Sequence, residues 1–304
     1  MNQPLNQPLN QPLNEPPNQV GLHSLVYTAD WTQDSARDVF TRAAGLGYDL
    51  VEVLMFDPAA TDTAMTARLA QEYGVGVIAA VCGTLSADIS SGDPEIARRG
   101  EEFVDRAITA AAEMGSPALG GPSFSAVHRY AQAPAPVART RAVDIYGRIA
   151  ERAGAAGIRV GLEALNRYES NFINTVGQAA ELVRAVGSPH LFVHGDLFHM
   201  NIEEASLGAA FESVADVLGY VHIAESHRGP LGDGTIDWDD VFGALARIGY
   251  SGPITFESFS PSVLGPEWAS LVALWRDPWT DPDKVAGDAL AFVREQLTSH
   301  RKAA

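Results

Sequence analysis

The chain has 304 residues, 46% of them hydrophobic and 19% charged, enough to bury a substantial core and within the range of one barrel domain. Its 21 Lys and Arg against 38 Asp and Glu give a net charge of −17, a surface that repels phosphate backbones and anionic headgroups and so argues against nucleic-acid and membrane partners. The single cysteine, Cys82, cannot close a disulfide within the chain, which fits a reducing compartment.

The chain begins with a repeat, NQPL at 2–5, 6–9 and 10–13, decaying into NEPP at 14–17. Proline and polar side chains supply no apolar area to bury, so residues 1–18 are expected to be a disordered tail ahead of a catalytic domain at 19–304. The tail lacks the basic start and apolar run of a secretory signal, and no later segment approaches the roughly 18 uninterrupted apolar residues of a membrane span, so the expected location is the cytoplasm.

From Val20 onward eight short apolar runs alternate with helix-patterned stretches. The runs are VGLHSLV (20–26), DLVEVLMF (49–56), VGVIAAV (75–81), SPALG (116–120), IRVGLEAL (158–165), HLFVHGD (190–196), YVHIAE (220–225) and PITFESF (253–259). Near-continuous Val, Ile and Leu without strict polar alternation is the pattern of a strand covered on both faces, as in parallel sheets. Between the third and fourth runs, Asp93 and Pro94 offer an N-cap and a first-turn proline, and Gly115 a stop. The last helix, near 282–299, puts Val285, Ala289, Phe292 and Val293 on one stripe. Eight β-then-α units predict a closed (β/α)₈ TIM barrel rather than an open sheet, and no GxGxxG follows the first run. The Gly232-Asp233-Gly234 stretch reads as a turn, too short and acidic for a phosphate loop.

In such a barrel the chemistry sits at the C-terminal ends of the strands. There Glu163 closes the fifth run, Asp196 the sixth, His222 lies on the seventh and Glu257 near the end of the eighth. Taken singly, each has an ordinary reading: a solvated rim carboxylate, a salt-bridge partner, a satisfied core histidine. Together they place three carboxylates and an imidazole at one mouth, where they would repel one another without a compensating cation. Oxygen-rich ligation with one nitrogen suits Mn²⁺, Co²⁺ or Mg²⁺.

The segments LEALNRYESNFINT (162–175), HGDLFHMNIEE (194–204), VHIAESHRG (221–229) and FESFS (256–260) resemble, in order and spacing, the ketose 3-epimerases of the D-tagatose 3-epimerase and D-allulose (D-psicose) 3-epimerase group, within the xylose-isomerase-like barrels. The resemblance spans nearly all of the chain after the tail. It implies that Glu163, Asp196, His222 and Glu257 hold the metal, and that Glu169, His199 and Arg228 touch the substrate near its carbonyl end. It also implies a homodimer or homotetramer that interconverts free ketohexoses, such as D-fructose and D-allulose or D-tagatose and D-sorbose.

The chemistry gives its own reason for two glutamates. Inverting the carbon beside a ketone takes a proton from one face and returns one to the other, which a single base is poorly placed to do. Glu163 and Glu257, on different strands, would share the task through a cis-enediolate whose charge gathers on O2 and O3, where a chelating divalent ion is worth several kcal/mol. Arg228 and His199 would add donors at O2.

Other positions carry open alternatives. Glu52 reads as a mouth residue for a sugar hydroxyl or as an ion-pair partner, and His23, Tyr27 and Phe259 as an apolar wall or as packing. Cys82 reads as a small buried filler, and Trp268, Trp275 and Trp279 as a lid, a subunit contact or packing. Relatives often carry a tyrosine near Phe124, so its missing hydroxyl is expected to alter recognition of the distal sugar end. The rival readings are a 1,2-isomerase or carbon-glycoside-cleaving enzyme on the same barrel, a sugar-binding scaffold and, against the charge and the few mouth histidines, an endonuclease.

Overall fold

The eight apolar runs fold as eight strands: β1 (Val20–His23), β2 (Leu50–Met55), β3 (Gly76–Val81), β4 (Ala118–Gly120), β5 (Arg159–Glu163), β6 (Leu191–Asp196), β7 (Leu218–Ile223) and β8 (Ile254–Phe256). In the computed structural model, which describes residues 18–303, each strand pairs in parallel with the next and β8 pairs with β1, closing the barrel. Around it run α1 (Gln33–Leu46), α2 (Thr63–Tyr73), α3 (Pro94–Glu113), α4 (Pro136–Ala155), α5 (Val176–Val186), α6 (Leu197–Glu203), α7 (Leu207–Ser213), α8 (Trp238–Arg247), α9 (Pro261–Leu271) and α10 (Pro282–Ala303). No helix among the described residues is long and apolar enough to cross a membrane.

The punctuation acts as its chemistry dictates. Asp93 caps α3 by accepting from the Glu95 amide at 2.8 Å, Pro94 opens the helix, and Gly115 follows it at φ 77°. Two departures have local causes. The first run leaves the strand after His23 because the His23 Nδ1 accepts from the Leu25 amide at 3.1 Å, which turns Ser24–Val26 into a single 3₁₀ turn. The seventh strand starts two residues before its run, at Leu218, since Gly219 lies against the Phe192 ring, 2.6 Å from where a Cβ would stand.

Inside the barrel the period of two stacks side chains in layers. Leu50, Ile78, Phe192 and Tyr220 form a buried apolar plug. Two residues further along β2, β6 and β7 come Glu52, His194 and His222, so the plug floors a polar layer open toward the C-terminal mouth. Of the expected tail, residues 1–17 lie outside the described residues. Asn18 is buried, its side-chain amide donating to the carbonyls of Tyr250 at 3.1 Å and Gly252 at 2.7 Å.

Candidate metal centre and active site

The four predicted ligands converge. Glu163 ends β5, Asp196 ends β6, His222 lies on β7 and Glu257 follows β8 by one residue; all are buried. The His222 Nδ1 stands 3.4 Å from Asp196 Oδ2, 3.7 Å from Glu257 Oε2 and 3.8 Å from Glu163 Oε1, and has no hydrogen-bond partner among the described residues. Its other nitrogen, Nε2, lies 2.7 Å from Glu52 Oε2, and Glu52 in turn accepts from the Tyr220 hydroxyl at 2.5 Å. Since a carboxylate only accepts, Nε2 carries a proton, and Nδ1 faces three carboxylates. That donor set fits a divalent cation bound by oxygen and one imidazole nitrogen. The carboxylates around the ring call for positive charge: burial opposes a charge on His222, but Glu52 and Glu257 outweigh it and push its pKa well above the usual imidazole range, so the ring takes a second proton on Nδ1 unless a cation takes that proton's place. Asp196, His222 and Glu257 offer ligand atoms within 4.8 Å of one another, as do Glu163, Asp196 and His199, and Glu163, His194 and His222.

Asp196 serves two structures at once. Its Oδ1 caps α6, accepting from the amides of Phe198 at 2.6 Å and His199 at 3.2 Å, which leaves Oδ2 for the site. The same helix start delivers His199. The Asn166 amide donates to His199 Nδ1 at 3.2 Å, and His199 Nε2 on the other side of the ring lies 3.3 Å from Arg228 Nη2 and 3.9 Å from Glu163 Oε1. The Asn166 side chain donates to Glu169 Oε1 at 2.9 Å, holding Glu169 beside the cavity that it lines.

Arg228 reaches the centre from the loop after β7. Its Nη1 bonds to Glu257 and lies 3.4 Å from Asp196 Oδ2, and its guanidinium carbon stacks 3.9 Å from the Phe198 ring centroid and 4.5 Å from that of Phe259. Arg228 adopts φ 61°, uncommon for a side chain of this size. Its carbonyl is held by the Ser258 hydroxyl at 2.6 Å, which accepts from Trp279 Nε1 at 2.7 Å. Glu225 accepts from the amides of Ser226, Gly232 and Ile236, so the Gly232-Asp233-Gly234 turn belongs to the clamp on this loop. Burial works against the Glu257 carboxylate, but Arg228 and His222 outweigh it and hold its pKa well below the ordinary value. Glu163 goes the other way: burial, with Asp196 and Glu257 nearby, drives it well above, against the pull of His222.

Several expectations need correction. Glu52 is buried and pairs with His222, the second of its two readings, while it also lines the floor of the cavity. Tyr27 turns its hydroxyl to Asp283 at 2.9 Å, away from the cavity. Phe124 is packed on Phe172 in the core and lines no part of the cavity, so its missing hydroxyl does not face a sugar. His23 lines the cavity with a polar edge as well as an apolar face. Leu25, Leu54, Val127, Phe259, Trp268 and Val272 form the apolar wall, and Cys82 also lines the cavity, its thiol pushed up to about 12 by burial. Of the three tryptophans, Trp268 packs on Phe56 at the wall, Trp279 supports Ser258, and Trp275 is 75% exposed.

Asn166 and His194 were not singled out from the sequence. Asn166 had a readable signal, since an Asn whose side chain accepts from the amide two residues on, here Tyr168 at 2.9 Å, is an Asx turn. His194 had none beyond its parity with Asp196.

A closed parallel barrel with carboxylates and an imidazole at the ends of β5–β8 is a barrel site whose side chains could hold a metal ion. Comparison with known proteins makes this specific. The model of the xylose isomerase-like TIM barrel family matches residues 40–296. The chain is 38% identical over 281 residues to a ketose 3-epimerase of Arthrobacter globiformis, covering 92% of this chain and 97% of the relative. It is 38% identical over 278 residues to an L-ribulose 3-epimerase of Methylomonas sp., covering 91% and 97%. Among solved structures, the Methylomonas sp. D-allulose 3-epimerase in complex with D-allulose superposes with a TM-score of 0.89 at 38% identity, over 92% of this chain and 97% of that one. The chain belongs to the xylose isomerase-like TIM barrel family and, within it, to the ketose 3-epimerases, enzymes of the isomerase class.

Proposed function

We propose that this enzyme inverts C3 of free ketoses, with Glu163 and Glu257 as the two proton-transferring bases. The observation that carries the reading is the unpartnered Nδ1 of His222 among three carboxylates from three other strands, two of them glutamates lining the cavity. Glu163, Asp196, His222 and Glu257 would hold a divalent ion, Mn²⁺ or Co²⁺ by preference and Mg²⁺ as a third choice. When bound, it would supply positive charge against the negative charge that develops on the ketose O2 and O3.

The chain's own residues do the rest. Each glutamate has one oxygen near His222 and a second turned away from it: Glu163 Oε2 toward His194 at 3.7 Å, Glu257 Oε1 toward His23 at 3.6 Å. One outer oxygen removes the C3 proton and the other delivers a proton to the opposite face, and the roles exchange with direction. His199 and Arg228 touch the sugar at its carbonyl end, with the Arg228 guanidinium donating toward the carbonyl oxygen, and Glu169 accepts from a hydroxyl at the same end. The apolar wall from Leu25 to Val272 closes around the remaining carbons and keeps water from the enediolate. D-Fructose with D-allulose, and D-tagatose with D-sorbose, are the expected pairs. We take residues 19–304 as the catalytic domain of a cytoplasmic homodimer or homotetramer, in which exposed groups such as Trp275 and Leu271 would be covered.

The test is to strip the protein with a chelator, restore Mn²⁺ or Co²⁺, and separate the products from D-fructose, D-tagatose and L-ribulose. The expected products are C3 epimers that keep the ketone. Aldoses would indicate a 1,2-isomerase, shortened fragments an elimination, and either would replace this reading.

A further inference from the structure

The two glutamates are not equivalent in their surroundings. Beside the outer oxygen of Glu163 is His194 Nδ1, which accepts from the Gly121 amide at 3.4 Å and therefore faces the carboxylate with a lone pair. Gly121 can reach it only as glycine, since it sits at φ 88° with its Cβ position 2.0 Å from the Val81 carbonyl oxygen. Beside the outer oxygen of Glu257 the imidazole is turned the other way. His23 Nδ1 accepts from the Leu25 amide at 3.1 Å, so its proton is on Nε2, aimed between Glu257 Oε1 at 3.6 Å and Glu52 Oε1 at 3.9 Å. Glu52 Oε1 is buried and has no hydrogen-bond partner among the described residues, so the N–H stands between two acceptors. The ring is fixed edge-on against Phe259, with centroids 6.0 Å apart, and against His222, 5.9 Å apart.

We infer that His23 is a positioning residue for Glu257 alone: its backbone-locked Nε2–H aims the outer oxygen of that glutamate at the substrate, and Glu163 has no counterpart. The inference rests on the two-base reading above. It gives the enediolate two unequal faces, so protonation partitions between them in a ratio that His23 sets. The distances leave room for the carboxylate to close on the N–H as it swings toward the sugar.

The measurement is early-time epimerisation of D-allulose in D₂O by the metal-loaded enzyme. Deuterium at C3 is counted separately in recovered substrate and in product, for wild type, His23→Phe and His23→Gln. His23→Phe should lower kcat about 10- to 100-fold, the range for losing a partner that orients a site carboxylate. KM should change little, the deuterium ratio should shift at least about threefold, and His23→Gln, which keeps an N–H, should move the ratio back toward wild type. A structural role would change the amount of active enzyme but not the ratio, so a ratio equal to wild type in folded, metal-loaded His23→Phe overturns the inference. If that variant does not fold, an unchanged ratio in both His23→Gln and His23→Asn does so. A rise in KM with kcat and ratio intact would make His23 a substrate contact and also overturn it. Failure of the two-base reading looks different, because the wild-type product would then retain the substrate's own C3 hydrogen instead of carrying one from a second, solvent-exchanged acid.

Discussion

The two halves of the barrel do different work in the same polar layer. Strands β5 to β8 end in the groups with lone pairs to offer a cation, Glu163, Asp196, His222 and Glu257. Strands β1 and β2 contribute His23 and Glu52, which touch those groups from behind. A carboxylate or imidazole in the second half changes what the site binds; one in the first half changes how the ligand side chains point. The difference follows from sequence position: the long loops after β5 and β7 also bring Glu169 and Arg228 to the mouth, whereas Glu52 sits two residues above the Leu50 plug with its Oε2 taken up by His222 and Tyr220.

The largest effects should come from the second half. Glu163→Gln and Glu257→Gln each replace one of the two proposed bases while keeping the shape, and should cut turnover by about 10²- to 10⁴-fold, the usual worth of a positioned acid or base. Steady-state kinetics on one ketose, with metal content measured on the same samples, decides it. Substantial turnover in either fully loaded variant would break the two-base assignment and with it the contrast between the halves.

A smaller effect is expected one layer out. Glu52→Gln removes the anionic acceptor from His222 Nε2, so the ring loses the group that fixes its tautomer. Titration calorimetry with Mn²⁺ should show affinity falling about 10- to 100-fold. Unchanged affinity would mean that packing, not Glu52, orients His222.

The fold and the convergence of Glu163, Asp196, His222 and Glu257 were legible because their signals repeat. Eight apolar runs at regular spacing fix a barrel more firmly than any one run, and four chemistry-bearing residues at four strand ends share one cause. What escaped reading depends on tertiary direction. Glu52 on LVEVLM has the pattern of a strand with a polar break, and nothing local says whether it points inward to a histidine or outward to water. Tyr27 and Phe124 failed for the same reason: both lie beside mouth segments in sequence, yet Tyr27 turns to Asp283 and Phe124 to Phe172. Arg228 was found by resemblance, but its left-handed backbone, and the Ser258 and Trp279 chain behind it, involve partners 30 residues away or more.

The smallest effect tests how far the support extends. Tyr220 lies one layer below, its hydroxyl 2.5 Å from Glu52 Oε2 and 2.5 Å from Thr255 Oγ1. Tyr220→Phe leaves Glu52 its bond to His222 and removes only the outermost link, so stability should fall by about 1 kcal/mol, the net worth of a typical buried hydrogen bond. Manganese affinity should fall less than in Glu52→Gln, because the carboxylate that holds the imidazole stays in place. Thermal denaturation with and without Mn²⁺ separates the two contributions: an equal loss in both puts Tyr220 in the plug, and a larger loss with Mn²⁺ puts it in the site. A drop in affinity matching that of Glu52→Gln would instead show that Tyr220, through Glu52, decides where His222 points, and would move the boundary between plug and site down by one layer.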